Sequence, residues 1–220
     1  MTLHFLEFEQ LKAEKGIKAG VAYRQPPQEM ESIWEAFCPE AKGAHVRQVH
    51  GDRVVVAQAD EAPEADGLMT NEPQLCLTIK HADCQPAIFY DPTLKVLASV
   101  HSGWRGSVQN IYHKTVEQMK QTYGVKPENL LVSIGPSLGP EKAEFIHYKT
   151  ELPESFWKHQ TALNHFDFWA ISREQLTQAG VLDHHIEILG LCTYSDKENF
   201  YSYRRDKTRL RHYTLAALLP

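Results

Sequence analysis

The chain has 220 residues, 42% of them apolar and 23% charged, with a formal net charge of −5. That length and balance allow a buried core and predict a single domain over residues 1–220. No basic block exceeds Tyr203-Arg204-Arg205-Asp206-Lys207, which disfavours a nucleic-acid partner, and no apolar run approaches the roughly 20 residues of a membrane span.

The start, Met1 to Glu7, lacks a basic stretch followed by an apolar one, so a soluble, cytoplasmic protein with small-molecule partners is expected. Cys38, Cys76, Cys84 and Cys192 are scattered without CxxC spacing. In a reducing compartment that pattern favours free thiols or a metal ligand over disulfides.

Along the chain, 18–24 reads as a strand and 28–37 as a helix, with Met30, Ile33, Trp34 and Phe37 at helical spacing and Gln25-Pro26-Pro27 as the break between them. The middle is dense in short β-rich segments, at 44–49, 53–58, 75–80, 87–90 and 96–100. Within 75–80, Leu75, Leu77 and Ile79 alternate with Cys76, Thr78 and Lys80, which predicts one buried face. After Gly106 the period changes: Val108, Ile111, Tyr112, Val116, Met119 and Tyr123 form one helical stripe, predicting a helix over 105–123 that ends at Gly124. A strand at 130–134, a Gly/Pro loop at 135–140, a helix at 170–179 and strands at 186–189 and 213–218 follow. Strands cluster instead of alternating strictly with helices, which predicts an α+β fold, not a doubly wound parallel one.

Three segments carry metal-ligand side chains at predicted strand ends: Gln48-Val49-His50-Gly51-Asp52, His81-Ala82-Asp83-Cys84-Gln85-Pro86 and Val100-His101-Ser102-Gly103-Trp104-Arg105-Gly106. Two imidazoles and one thiolate form a three-ligand set for Zn²⁺ with a fourth position open, the arrangement of a catalytic site. Spacing alone does not decide for it. Cys84 equally suits a small buried hydrophobe, and His50 and His101 suit core or turn positions satisfied by carbonyls.

The segments "QVHGD", "ADGLMT", "HADCQPAIFYD", "VHSGWRGS", "SIGPSLGP" and "CTYSDKENFYSYRRDKT" run in order from Gln48 to Thr208. They resemble the motif series of the YfiH-type family, also known as the multicopper polyphenol oxidase or laccase-domain family and as a purine nucleoside phosphorylase family. The resemblance implies a layered α/β/β/α sandwich with mixed sheets and a metal held by His50, Cys84 and His101. It also implies phosphorolysis of adenosine, inosine and S-methyl-5′-thioadenosine together with adenosine deamination, and some bacterial members are linked to peptidoglycan-precursor editing.

A laccase needs several coppers and many imidazoles, yet no His-x-His pair occurs here, since His184-His185 are adjacent. Cu²⁺ still competes with Zn²⁺ at an N₂S set, so a copper-dependent polyphenol oxidase stays an alternative. Another is a cysteine hydrolase with Cys84 as nucleophile and His101 or His50 as base. A third is a non-catalytic metal protein, which would need a fourth ligand such as His81.

Phosphate would need a cationic or N–H-rich cradle. Gly103 to Gly106 at the start of the predicted helix, with Arg105 beside them, is one candidate, and Arg204 is another for substrate. The resemblance adds Arg24, as an arginine on an N-terminal strand facing the metal. Asp83 is the candidate to orient a ligand imidazole or move a proton. The Tyr203-Arg204-Arg205-Asp206 motif suits either substrate binding or an ion-pair lock on the C-terminal segment, whereas "DKTRLRHY" departs from the family's Thr-Gly-Arg at Arg209. Ser137, in the Gly/Pro loop, lacks a nucleophile signature and reads as cavity wall.

Overall fold

A computed structural model of the chain describes residues 3–24, 29–59 and 61–220. The predicted break at Gln25-Pro26-Pro27 and the expected helix start at Gln28 lie outside the described residues. In chain order the elements are β1 (Phe5–Glu7), α1 (Glu9–Lys12), β2 (Ile17–Ala22), α2 (Met30–Phe37), β3 (Lys42–His45), β4 (Val54–Val56), β5 (Gly67–Thr70) and β6 (Leu75–His81). Then come β7 (Gln85–Asp91), β8 (Val96–Ser102), α3 (Trp104–Val108), α4 (Ile111–Tyr123), β9 (Leu131–Ile134), α5 (Tyr148–Glu151) and α6 (Glu154–Trp157). The chain closes with β10 (Gln160–Ala162), β11 (His165–Phe166), α7 (Phe168–Gln178), β12 (Ile186–Ile188), α8 (Tyr203–Asp206) and β13 (His212–Leu218).

Two mixed sheets form the body. One has the order β1-β2-β13-β6-β3, the other β12-β9-β7-β8-β5-β4, and β10-β11 is a small hairpin apart from both. Pairing is antiparallel except for β3 with β6, β4 with β5 and β12 with β9. The period-2 geometry of strands sorts side chains into layers. Leu75, Leu77 and Ile79 of β6, Ile88 and Tyr90 of β7 and Leu97 of β8 fill the space between the sheets. Ala87 and Phe89 of β7 and Ala98 and Val100 of β8 point the other way, onto Ile111, Val116 and Met119 of α4 and Leu176 beyond. Each such fully buried aliphatic or Met side chain contributes about 1.5–3 kcal/mol. Cys76, Leu215 and Ala217 on the outer face of the first sheet are covered by Ile33 and Phe37 of α2. The result is the expected α/β/β/α layering. Among the described residues no helix is long and apolar enough to cross a membrane.

Three local expectations change. The second face of β6 is also buried, because α2 lies over Cys76 and Thr78, and Trp34 Nε1 donates to Thr78 Oγ1 at 2.7 Å. The expected strand at 44–49 ends at His45, since the chain leaves the first sheet there. The helix expected over 105–123 is two helices. The first ends at Val108 with Gln109 as its C-cap, and Asn110, in the left-handed region at φ 56°, caps the second by accepting from His113 N. The stop at Gly124 (φ 73°) is as read, with its N–H on Lys120 O.

Candidate metal centre

The site forms where the chain passes from one sheet to the other. The segment from β3 to β4 carries His50, the link from β6 to β7 carries Cys84, and His101 stands near the end of β8. One ligand atom from each of His50, Cys84 and His101 lies within 4.8 Å of the other two. Among the described residues this is the one such group of three or more His, Cys, Asp or Glu. The two imidazoles meet edge to face with centroids 4.9 Å apart. His50 is exposed, Cys84 half-buried and His101 only 2% exposed, so the group opens toward solvent on one side.

Asp66, fully buried beside β5, holds this arrangement together. Its carboxylate accepts from the N–H groups of Val49 (3.2 Å), His50 (3.0 Å) and Gly51 (2.7 Å), and from His101 Nδ1 at 2.8 Å. The three successive N–H groups make a small anion-binding concavity, which explains how His50 sits at φ 61° without being glycine. Burial opposes ionisation of Asp66. The His101 hydrogen bond and the Gly51 and Val49 N–H groups outweigh it and hold the carboxyl below its usual range. An ionised carboxylate only accepts, so Nδ1 of His101 carries the proton and Nε2 faces Cys84.

Burial alone would push the Cys84 thiol up, but His101 and His50 together bring it down to about 6. Burial likewise opposes charge on His101, yet the Cys84 sulfur and Asp66 raise it to about 9. Each group thus favours the charged form of the other, and a thiolate is the form that ligates a metal. Two glycines allow α3 to approach: a Cβ on Gly103 would come within 3.1 Å of His50 Cδ2 and 3.2 Å of Cys84 Sγ, and one on Gly106 within 2.9 Å of Gly51 O.

His50, Cys84 and His101 lie in the lining of a cavity of 740 Å³. Trp104, Phe145, Phe168 and Leu138 supply an apolar wall, and Gln85, Arg105 and Arg204 add polar groups. The aromatic wall belongs to a separate cluster built around Phe145, Phe156, Phe166 and Phe168.

The other expected residues divide. Arg105 is exposed and lies 4.2 Å over the Trp104 ring. Arg204 Nη1 donates to Lys142 O and Glu144 O, holding its guanidinium at the wall. Asp83 lines the cavity, but its carboxylate accepts from Thr193 Oγ1 (2.8 Å) and Arg204 N (2.7 Å). The imidazole-orienting bond expected of Asp83 is made by Asp66 instead. Arg24 lies outside the cavity lining: its Nη1 donates to Lys197 O and its guanidinium sits 5.0 Å over the Tyr201 ring. The expected N–H cradle at Gly103 to Gly106 heads only the five-residue α3, since the long helix starts at Ile111. That removes most of the helix dipole from the argument.

His81 is buried with Nε2 on Thr214 Oγ1 at 2.8 Å and lies outside the ligand group. Arg205 clamps the C-terminal segment through Thr193 O, Tyr194 O and Phe200 O and pairs with Asp206. Arg209 is exposed and does not line the cavity. Ser137 Oγ accepts from Trp169 Nε1 and is buried. Asp66 is the residue that sequence reasoning missed. It stands in "ADGLMT" before a glycine, where an aspartate reads as a turn residue, and nothing in the spacing ties it to His101.

A family model described as multi-copper polyphenol oxidoreductase laccase matches residues 27–218. A purine nucleoside phosphorylase of Bacteroides thetaiotaomicron is 34% identical over 70% of this chain, and one of Deinococcus radiodurans is 36% identical over 74%. Those matches span 62% and 64% of the two relatives' own lengths. The purine nucleoside phosphorylase YfiH of Shigella flexneri is 31% identical over 76% of this chain and 70% of its own. The crystal structure of YlmD from Geobacillus stearothermophilus superposes with a TM-score of 0.86 at 22% identity, covering 98% of this chain and 96% of that one. With the ordered motifs, the layered fold and these matches together, the chain belongs to the YfiH-type, laccase-domain family.

Proposed function

We propose that this protein is a metal-dependent purine nucleoside phosphorylase acting on adenosine, inosine and S-methyl-5′-thioadenosine, with adenosine deamination as a second activity. The observation that carries the reading is the convergence of His50, Cys84 and His101 in the wall of a cavity that also has an aromatic face and the arginines Arg105 and Arg204. Two imidazoles and a thiolate this close suit Zn²⁺, and Cu²⁺ would bind the same set. When bound, such an ion supplies charge stabilisation for a phosphate oxygen or activation of water for attack at purine C6.

The chain's own residues do the rest. Asp66 fixes the His101 tautomer and orientation, which sustains its basicity as a ligand. Trp104, Phe145 and Phe168 offer an aromatic wall against which the purine ring packs. Arg105 and Arg204 are the proposed phosphate contacts, with two-pronged donors matched to an oxyanion. Asp83 acts as a positioning residue, holding the backbone of Arg204 in place. The N₂S set carries a thiolate, which lowers the ion's effective charge, and slow turnover is expected.

Protein loaded with defined metal and given adenosine and inorganic phosphate should release adenine and ribose 1-phosphate, with inosine as the mark of deamination. Stoichiometric metal without either base or sugar phosphate would overturn the phosphorylase reading. A second reading, a cysteine hydrolase, is favoured by the Cys84 thiol lowered to about 6 between two imidazoles. Tight metal on Cys84 excludes it, because a ligated sulfur does not attack an acyl group. The multi-copper reading lacks a second ligand group among the described residues.

A further inference from the structure

The cavity wall carries more positive charge than binding one phosphate requires. Arg47, Lys80, Arg105, Arg204, Lys207 and Arg211 all line it, against Asp83 as the one lining carboxylate among the described residues. That carboxylate is already engaged by Thr193 and by the backbone of Arg204. Of the six cations, only Arg47 has a described carboxylate within ion-pair distance, Glu64 at 2.6 Å. The others are held in place without being neutralised. Arg105 lies over Trp104, and Lys207 and Arg211 lie 5.4 and 5.9 Å from the Tyr203 ring centre. Arg211 Nη1 also donates to the carbonyls of Thr208 and Leu210.

This accumulation runs against the chain's net charge of −5. Cations gathered in a concave wall focus the field and select anionic ligands. A single phosphate dianion, held by Arg105 and Arg204, leaves the Lys207 and Arg211 side unmatched. The 740 Å³ volume falls within the roughly 300–1,000 Å³ typical of small-molecule sites.

We propose that the ligand this cavity selects is a nucleotide: a purine nucleoside bearing a phosphate ester on its ribose, the ester held by Lys207 and Arg211. The proposal rests on the purine reading above and deepens it. The base lies against Trp104, Phe145 and Phe168, and the ester is distinct from the phosphate that the reaction consumes.

The test is binding of adenosine and of adenosine 5′-monophosphate to metal-loaded protein, read before the first turnover, with and without saturating inorganic phosphate at matched ionic strength, while turnover is followed in parallel. The monophosphate should bind about tenfold tighter or more, as charge-assisted hydrogen bonds to a phosphate imply. The advantage should persist in phosphate and shrink as sodium chloride is added to wild-type protein. In Lys207→Met/Arg211→Met the affinity ratio should fall toward one. Equal affinities, or an advantage that disappears when phosphate is added, would overturn the proposal and assign the cations to the free anion alone. Absence of turnover with the preference intact would overturn the phosphorylase reading and leave the ligand class supported.

Discussion

Two histidine pairs lie in this molecule at similar spacing, with opposite chemistry. His50 and His101 stand 4.9 Å apart at the cavity, while His81 and His212 stand 5.5 Å apart as register partners on β6 and β13. At the cavity, a buried carboxylate and a thiolate raise His101 to about 9. In the sheet, burial dominates: it brings His212 down to about 4 and His81 well below its usual value. There the partners are neutral, since His212 accepts from Tyr201 N and sits 3.2 Å from Ala22 O, and His81 meets Thr214 Oγ1. What faces an imidazole's nitrogens, not the presence of a second histidine, thus sets whether its charged form is favoured or suppressed.

The largest effect expected is on the cavity pair. Cys84→Ser should abolish stoichiometric Zn²⁺ in elemental analysis, a greater loss than the roughly 10–100-fold seen when a residue only orients a ligand. Retained metal would break the contrast between the two pairs. Asp66→Asn tests the orienting role itself: metal affinity or activity should drop about 10–100-fold, because the amide no longer holds Nδ1–H against a charge. The same substitution at Asp83 should leave metal affinity within about threefold, since its carboxylate meets Thr193 and Arg204 and no imidazole.

The sheet pair makes a pH prediction. His212 is 1% exposed and binds its proton more weakly folded, at about 4, than unfolded at about 6.5. Its contribution is therefore fully present above pH 6.5 and is lost as pH falls toward 4, by roughly 3 kcal/mol in all. The groups that act on it, the Ala22 carbonyl and Asp83 favouring and Arg24 opposing the charged form, are weaker than burial. Denaturant titrations between pH 7 and 4 should show a shallower loss in His212→Gln than in wild type. Parallel curves would mean that the imidazole is charged in the fold. The smallest effect is expected at Arg24, which is exposed and bonds a carbonyl outside the cavity. Arg24→Ala should change nucleoside turnover less than Arg105→Ala or Arg204→Ala, and a larger loss would bring Arg24 back into the site.

Much of this protein was legible before folding because local periodicity reports burial. The alternation in β6 and the stripe from Ile111 to Met119 each mark a face pressed against a core, and the residues of both recur in the buried clusters. The ordered segments around His50, Cys84 and His101 likewise carried the family, and the structure brings those three residues together. Tertiary structure alone decided the rest. The break at Asn110 depends on a left-handed residue that no stripe reveals, and the second buried face of β6 depends on where α2 lands. Asp66 became the partner of His101 because β5 and β8 pair antiparallel with Gly67 opposite Val100, a long-range register. Arg24 left the site and Lys207 and Arg211 entered it for the same reason: the chain's path between the two sheets, not the order of its residues, sets which side chains share one cavity.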